Sequence, residues 1–189
     1  NFKLRHICVF SIQKLMKSKK NLVLIGMMGS GKTTIGNLMS KKLNFRFFDI
    51  DKIIENETKM KITEIFKNKG EVFFRNLEEK ITKKILNFDE VVISLGGGAF
   101  INEEIRKVTT LKSKTFWLNW NANTLINRIN KNKNRPLAIN LTNNDLKNLI
   151  NKRSKYYSMA NHKINCQNLS KSEITNKILK LYEDEKYKN

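Results

Sequence analysis

The chain has 189 residues, 40% of them apolar and including eleven Phe and two Trp, which is enough for one core and short for a multi-domain machine. Thirty-seven Lys and Arg against seventeen Asp and Glu leave a net charge of +20, an excess that attracts anions from phosphorylated metabolites to nucleic acid without choosing among them. Cys8 and Cys166 stand far apart with no C-x-x-C spacing, and no apolar run approaches the roughly 18–20 residues of a membrane span, so the composition speaks against a disulfide scaffold, a structural zinc site and a membrane anchor and favours a reducing, cytoplasmic compartment.

Residues 1–20 stand apart as a basic appendage, with six positive charges, no acid and the apolar stretch Ile7–Phe10. A targeting segment shares that charge pattern but is rich in Arg and Ser, whereas here there are one Arg and two Ser; the competing expectation is a chain that starts at Met16. From residue 21 short apolar runs alternate with apolar residues at helical spacing. Leu22–Ile25 reads as a strand, and Ile35, Leu38, Met39 and Leu43 as one face of a helix. Phe45–Phe48 is a second strand, followed by a mostly helical stretch from Ile53 to Ile85. Val91–Ser94 and Thr115–Leu118 are buried strands, each followed by a helix, over 103–111 and 122–130. The polar segment Asn130–Pro136 reads as a mobile surface loop, and a helix over 143–158, a weak strand at His162–Asn165 and a helix over 171–183 close the domain before a polar tail, 184–189. Strands separated by helices of this length imply βαβ units: an α/β fold with a central parallel sheet and helices on both faces.

Between the first strand and the first helix, Gly26-Met-Met-Gly29-Ser30-Gly31-Lys32-Thr33 fits the G-x-x-x-x-G-K-[ST] pattern of a P-loop. Its glycines let successive backbone N–H groups converge on phosphate oxygens. The helix adds its positive N-terminus, Lys32 reaches the β- and γ-phosphates, and the Thr33 hydroxyl is a ligand for Mg²⁺. A second cluster, Gly96-Gly97-Gly98, directly follows a strand, so six of the eight glycines lie in two loops at the ends of parallel strands, where ligands bind in open α/β sheets.

Asp49 and Asp51 end the second strand, where one carboxylate can turn to a metal and the other to a substrate hydroxyl; a helix N-cap is the plain alternative. Arg75 has Glu78 and Glu79 three and four residues on, as in an ordinary helical ion pair. Yet Arg is scarce in this chain, seven against thirty Lys, and a fork-shaped donor matters for binding a carboxylate. Arg135 and Arg153 attract the same argument more weakly, with solvated surface as the plain reading. The Lys excess runs evenly through the chain with Asn and Ile and shows no aromatic-basic interleaving, so it reads as compositional bias, and no nucleic-acid partner is expected.

Over residues 21–183 the sequence closely resembles the shikimate kinase family. The P-loop, Phe48-Asp-Ile-Asp51, Gly70-Glu-Val-Phe-Phe-Arg-Asn-Leu-Glu-Glu79, Ser94-Leu-Gly-Gly-Gly-Ala99, Asn134-Arg-Pro-Leu137 and Lys152-Arg-Ser-Lys-Tyr-Tyr157 follow one another in the family's order and approximate spacing. The resemblance implies a three-layer P-loop kinase fold with a mobile lid over about 131–142, acting as a monomer that uses ATP with Mg²⁺ to phosphorylate the 3-hydroxyl of shikimate. It implies that Asp51 holds a substrate hydroxyl and accepts its proton, that Arg75 and Arg153 grip the carboxylate, and that Gly96, Gly97 and Gly98 wall the substrate, with Phe74 and Glu78 supporting the pocket. Gly29, Ser30, Gly31, Lys32, Thr33 and Thr34 would bind ATP phosphates, Lys32 and lid Arg135 would offset charge on the transferring group, and Thr33 would hold Mg²⁺ with Asp49 acting through water. Arg128 matches the family's Arg that lies on adenine. Where the family commonly offers an Arg and a Pro as the other side of the adenine pocket, this chain has Cys166-Gln-Asn-Leu169. The competing readings are a kinase of another polyol acid such as gluconate, and a basic nucleic-acid-binding protein.

Overall fold

Among the described residues five short segments form a parallel sheet, β1 (Asn21–Ile25), β2 (Arg46–Asp49), β3 (Val91–Ser94), β4 (Ser113–Asn119) and β5 (His162–Asn165), in the order β2-β3-β1-β4-β5. The computed structural model describes residues 20–131 and 141–184. The basic appendage up to residue 19, most of the expected lid with Arg135, and the tail after Asp184 lie outside the described residues.

Among the described residues seven α-helices connect and cover the strands: α1 (Lys32–Leu43), α2 (Ile50–Thr58), α3 (Ile62–Ile85), α4 (Glu103–Lys112), α5 (Ala122–Asn130), α6 (Asn143–Tyr157) and α7 (Lys171–Asp184). Successive strand side chains point to opposite faces, and β1 shows the result directly. Leu22 and Leu24 pack with Ile35 and Met39 of α1 and Ile174 and Ile178 of α7, whereas Val23 and Ile25 pack on the other face with residues of α2, α3, α5 and α6. A strand buried on both faces needs a continuous apolar run, which is what Leu22–Ile25 supplies.

The fourth strand runs Ser113–Asn119, longer at both ends than expected, and two further departures from the sequence reading have a local cause. The helical stretch from Ile53 to Ile85 is two helices: Lys59 takes a left-handed conformation, φ 54°, and ends α2. Inside α3, Gly70 leaves helical geometry at φ 81°, ψ 170°, so the residues before it and the Arg75-bearing turn after it are separate helical pieces. The second strand starts and ends one residue later than expected, at Arg46–Asp49, because Asn44 turns left-handed at φ 57° to end α1 and Phe45 packs as a buried plug between α1 and α7.

Gly36 on α1 faces β2 closely. A Cβ there would collide with the Phe47 ring, lying 3.0 Å from its Cζ and 3.1 Å from its Cδ2. A helical Gly→Ala exchange normally stabilises by about 1 kcal/mol, whereas overpacking costs about 1–3 kcal/mol, so the steric term wins. Gly36→Ala is therefore expected to lose about 1–2 kcal/mol in denaturant unfolding; a stabilised variant would contradict this packing.

Candidate active site

The P-loop runs from the end of β1 into α1 with Gly26, Gly29 and Gly31 at φ 143°, 79° and 90°. Gly31 is the N-cap of α1, and a Cβ there would meet nothing within 4 Å, so its side without substituent faces the open cleft. The loop is closed by Ser30 N–H donating to the Met27 carbonyl at 3.1 Å, and the Lys32 ammonium donates to the carbonyls of Gly26 at 2.8 Å and Met27 at 3.2 Å. Lys32 is buried, which holds its charge at the loop rather than in solvent. A cleft of about 350 Å³ opens here, lined by Gly29, Gly31, Lys32, Thr33, Thr34, Asp49, Asp51, Ser94 and Arg128. Ser94, at the end of β3, was given no role of its own in the sequence reading.

Asp49 serves two partners at once. It is the N-cap of α2, accepting from Lys52 N–H at 3.4 Å, and its Oδ2 accepts from Thr33 Oγ1 at 2.6 Å. The expected cap is therefore present, and the same carboxylate lies against the phosphate loop. The donor set at this edge of the cleft consists of hard oxygens, the chemistry Mg²⁺ takes, and among the described residues no group of three or more His, Cys, Asp or Glu could hold a metal by itself. That fits an ion bound by one or two protein oxygens together with phosphates and water.

Asp51 stands where the cleft meets a second set of charged groups, grouped around the glycine triplet. A Cβ on Gly96 would collide with Glu78 Oε1 and lie 2.7 Å from Asp51 Oδ1. On Gly98 it would lie 2.7 Å from both terminal nitrogens of Arg75, and on Gly97 3.5 Å from Arg153 Nη1. None of the three has a left-handed backbone, so the requirement for glycine here is space rather than conformation.

Arg75 pairs with Glu78 at 2.7 Å and with Glu71, one turn before it, at 3.1 Å, and its guanidinium lies 5.1 Å above the ring of buried Phe74. Glu79, expected as a neighbour, instead accepts from Lys83 and from Asn102. Burial works to lower the pKa of Arg75, and the pull of Glu78 and Glu71 overcomes it, holding the value above its ordinary one.

Arg153 corrects the plain reading of solvated surface: it is 6% exposed, directed inward from α6, with Nη1 3.7 Å from Met27 Sδ and Nε without a hydrogen-bond partner. The sequence showed no carboxylate beside it because the groups it faces come from other elements. Tyr157 on the same helix donates its hydroxyl to the Gly97 carbonyl, and burial pushes its pKa up to about 12, so it stays a donor. Tyr157 was part of a quoted motif without a role. Trp120, just past β4, was missed altogether: its indole N–H donates to the Ser30 carbonyl at 3.0 Å and the Arg128 guanidinium lies 3.7 Å from its ring centroid.

Glu78 is fully buried, with Oε2 on Arg75 and Oε1 without a partner. Burial pushes its pKa up from 4.5 to about 7; Arg75 pulls it back, Asp51 pushes it further and Arg153 pulls it back again. The neutral form is thus favoured in the fold more than in the unfolded chain. Its contribution to stability is full below about 4.5 and is lost as pH rises through about 7. The wild-type melting temperature is expected to fall relative to that of Glu78→Gln between about pH 5 and about pH 8, and parallel curves would refute the assignment.

A family model described as shikimate kinase matches residues 28–183. A shikimate kinase of Sulfurihydrogenibium sp. is 39% identical over 160 residues, which cover 85% of this chain and 96% of that protein. The solved structure of shikimate kinase from Acinetobacter baumannii in complex with shikimate superposes with a TM-score of 0.85 at 29% identity, covering 92% of this chain and 98% of the other. A gluconokinase from Sinorhizobium meliloti reaches a TM-score of 0.57 at 13% identity and shares the fold alone.

Proposed function

The chain belongs to the shikimate kinase family, and on that premise we propose how its own residues carry a phosphoryl group from ATP to shikimate. The reaction is phosphorylation of the 3-hydroxyl. The hydroxyl oxygen bonds to the γ-phosphorus, the bond to the β,γ-bridging oxygen breaks, ADP leaves, and the hydroxyl proton passes to a base.

The observation that carries the assignment of roles is the convergence of two guanidinium groups, Arg75 from α3 and Arg153 from α6, on one wall of bare backbone at Gly97 and Gly98. Glu78 orients the Arg75 fork from behind, and the Nε of buried Arg153 has no hydrogen-bond partner in the protein. Together they suit a small acid whose carboxylate accepts from both. Gluconate also carries a carboxylate, but its kinase resembles this chain in fold only. Asp51 lies between this anion site and the phosphate cleft, where it would hold the acceptor hydroxyl and take its proton. A carboxylate is a weak base, which suffices because phosphoryl transfer depends on alignment and charge stabilisation more than on base strength.

On the nucleotide side, the amides of Gly29–Thr34 cradle the phosphates and Lys32 offsets their charge. Thr33, with Asp49 behind it, would hold Mg²⁺, which when bound neutralises the β- and γ-phosphates. Arg128 would lie on the adenine. Arg135, outside the described residues, takes from the family resemblance the role of a second cation on the transferring group. The same reading makes the protein a cytoplasmic monomer without nucleic-acid or membrane partners. Among the described residues no helix is long and apolar enough to cross a membrane.

The test is ADP release with Mg·ATP and shikimate, beside gluconate and a blank without acceptor. Shikimate-dependent turnover is expected, with kcat reduced about 10²-fold or more in Asp51→Asn; turnover without acceptor preference would sink the assignment. Arg135→Lys should keep KM for shikimate and lose most of kcat, since a point charge does not replace a planar fork on a phosphoryl group. An unchanged kcat would remove Arg135 from the mechanism.

A further inference from the structure

We propose that Trp120 is a positioning residue for the nucleotide, holding Arg128 flat as a platform for the base while fixing the P-loop that receives the phosphates. One indole makes both contacts. Its ring carries the Arg128 guanidinium at 3.7 Å, and its N–H donates to the Ser30 carbonyl at 3.0 Å.

Several observations separate this from an incidental surface stack. Among the cation–ring contacts of the described residues it is the shortest, the others lying at 4.8–5.7 Å. Trp120 is anchored as well as stacked, for it packs against the apolar layers on both faces of the sheet at the point where β4 ends. Arg128 also reaches the loop directly, donating to the Gly29 carbonyl at 3.4 Å, and it lines the phosphate cleft. The indole, the guanidinium and two consecutive P-loop carbonyls therefore form one closed set of contacts.

A guanidinium is planar and has two faces. Trp120 covers one, while Arg128 as a whole is exposed, which leaves the other face for a flat π-system at the mouth of the cleft. A long side chain that is already stacked loses less rotamer freedom when a base settles on it. On the opposite side, Cys166–Leu169 brings neither a cation nor a proline, and Gln167 is engaged by Thr124 Oγ1 at 3.2 Å. With so little from that side, the base depends on a rigid Arg128, and Trp120 supplies the rigidity. Both ends of the nucleotide are served, the base through Arg128 and the phosphates through the fixed carbonyl of Ser30.

The inference rests on the kinase reading for what Arg128 meets, and its test is arranged to be independent of the acceptor. Calorimetric titration of the full chain with ADP alone compares wild type, Trp120→Phe, Trp120→Leu, Arg128→Gln and the double variant Trp120→Leu/Arg128→Gln, each first shown to melt cooperatively. Trp120→Leu is expected to weaken ADP about fivefold to tenfold, the range a well-placed cation–ring contact supports, and Trp120→Phe about half as much on a logarithmic scale. In the Arg128→Gln background the Trp120→Leu effect should shrink to less than half, because Trp120 acts through that side chain. In turnover assays KM for ATP should rise by the same factor as the ADP constant, while KM for shikimate stays within about twofold. Unchanged ADP affinity in Trp120→Leu, fully additive effects in the double variant, or KM values for ATP and shikimate rising in step would each overturn the proposal. A wild-type protein that binds ADP but leaves shikimate untouched would overturn the kinase reading, and the ADP titrations would still decide Trp120.

Discussion

Charged side chains from three helices can meet at one end of this sheet only because the backbone among them has no side chains of its own. Asp51 from α2, Glu78 and Arg75 from α3 and Arg153 from α6 all close on Gly96–Gly98, and a single methyl group at Gly96 or Gly98 would displace a carboxylate or a guanidinium. The spacing matters electrostatically as well as sterically. Bringing two carboxylates and two guanidinium groups out of water costs several kcal/mol per ion unless each is answered nearby, and the bare wall lets them answer one another across it. Glu78 shows how close the balance runs, since burial outweighs even the adjacent Arg75.

The opposite half of the site is built by economy of partners. Asp49 caps a helix and steadies Thr33 in one geometry, so the oxygens at this edge of the cleft inherit the stiffness of β2 and α2. Lys32 is turned into its own loop by the Gly26 and Met27 carbonyls, which keeps a buried cation hydrogen-bonded. Asp51 then follows Asp49 by two residues, and the turn from strand into helix separates them: one lies beside the phosphate loop and the other also reaches the glycine wall. The step from the phosphate loop to the glycine wall is thus made within a single helical turn.

Much of this was legible in the residues. The apolar runs located β1, β3 and β4, since a strand buried on both faces has little freedom to be polar, whereas the edge strand β5, His-Lys-Ile-Asn, gave only a weak signal, and the P-loop was marked by glycines whose backbone angles other residues avoid. What escaped was information carried between elements. The division between α2 and α3 at Lys59, and the break inside α3 at Gly70, were hidden because the apolar spacing continues at helical period across both. The burial of Arg153 could not be seen from α6 alone, since Met27 and Gly97 reach it through the sheet order. Of the two downstream acids that the sequence set beside Arg75, Glu78 pairs with it and Glu79 goes to Lys83, while Glu71 joins it from upstream. Trp120 carried one signal, an indole directly past a strand that ends at the ligand crevice, and composition alone does not raise it above an ordinary core aromatic.

The order of strands also has a bearing on synthesis. β1 lies at the centre of the sheet, and its two neighbours are both far downstream: Leu22 is in register with Val92 on one side and Lys114 on the other. On the ribosome, the segment Leu22–Ile25 therefore leaves the exit tunnel with no strand to pair with, and its helix α1 cannot dock against a sheet that does not yet exist. The P-loop hung between them gains its shape only after β4 has emerged. The nucleotide site, first along the chain, is thus among the last parts to assemble, and the interval exposes one of the most apolar strands to chaperones or to other nascent chains.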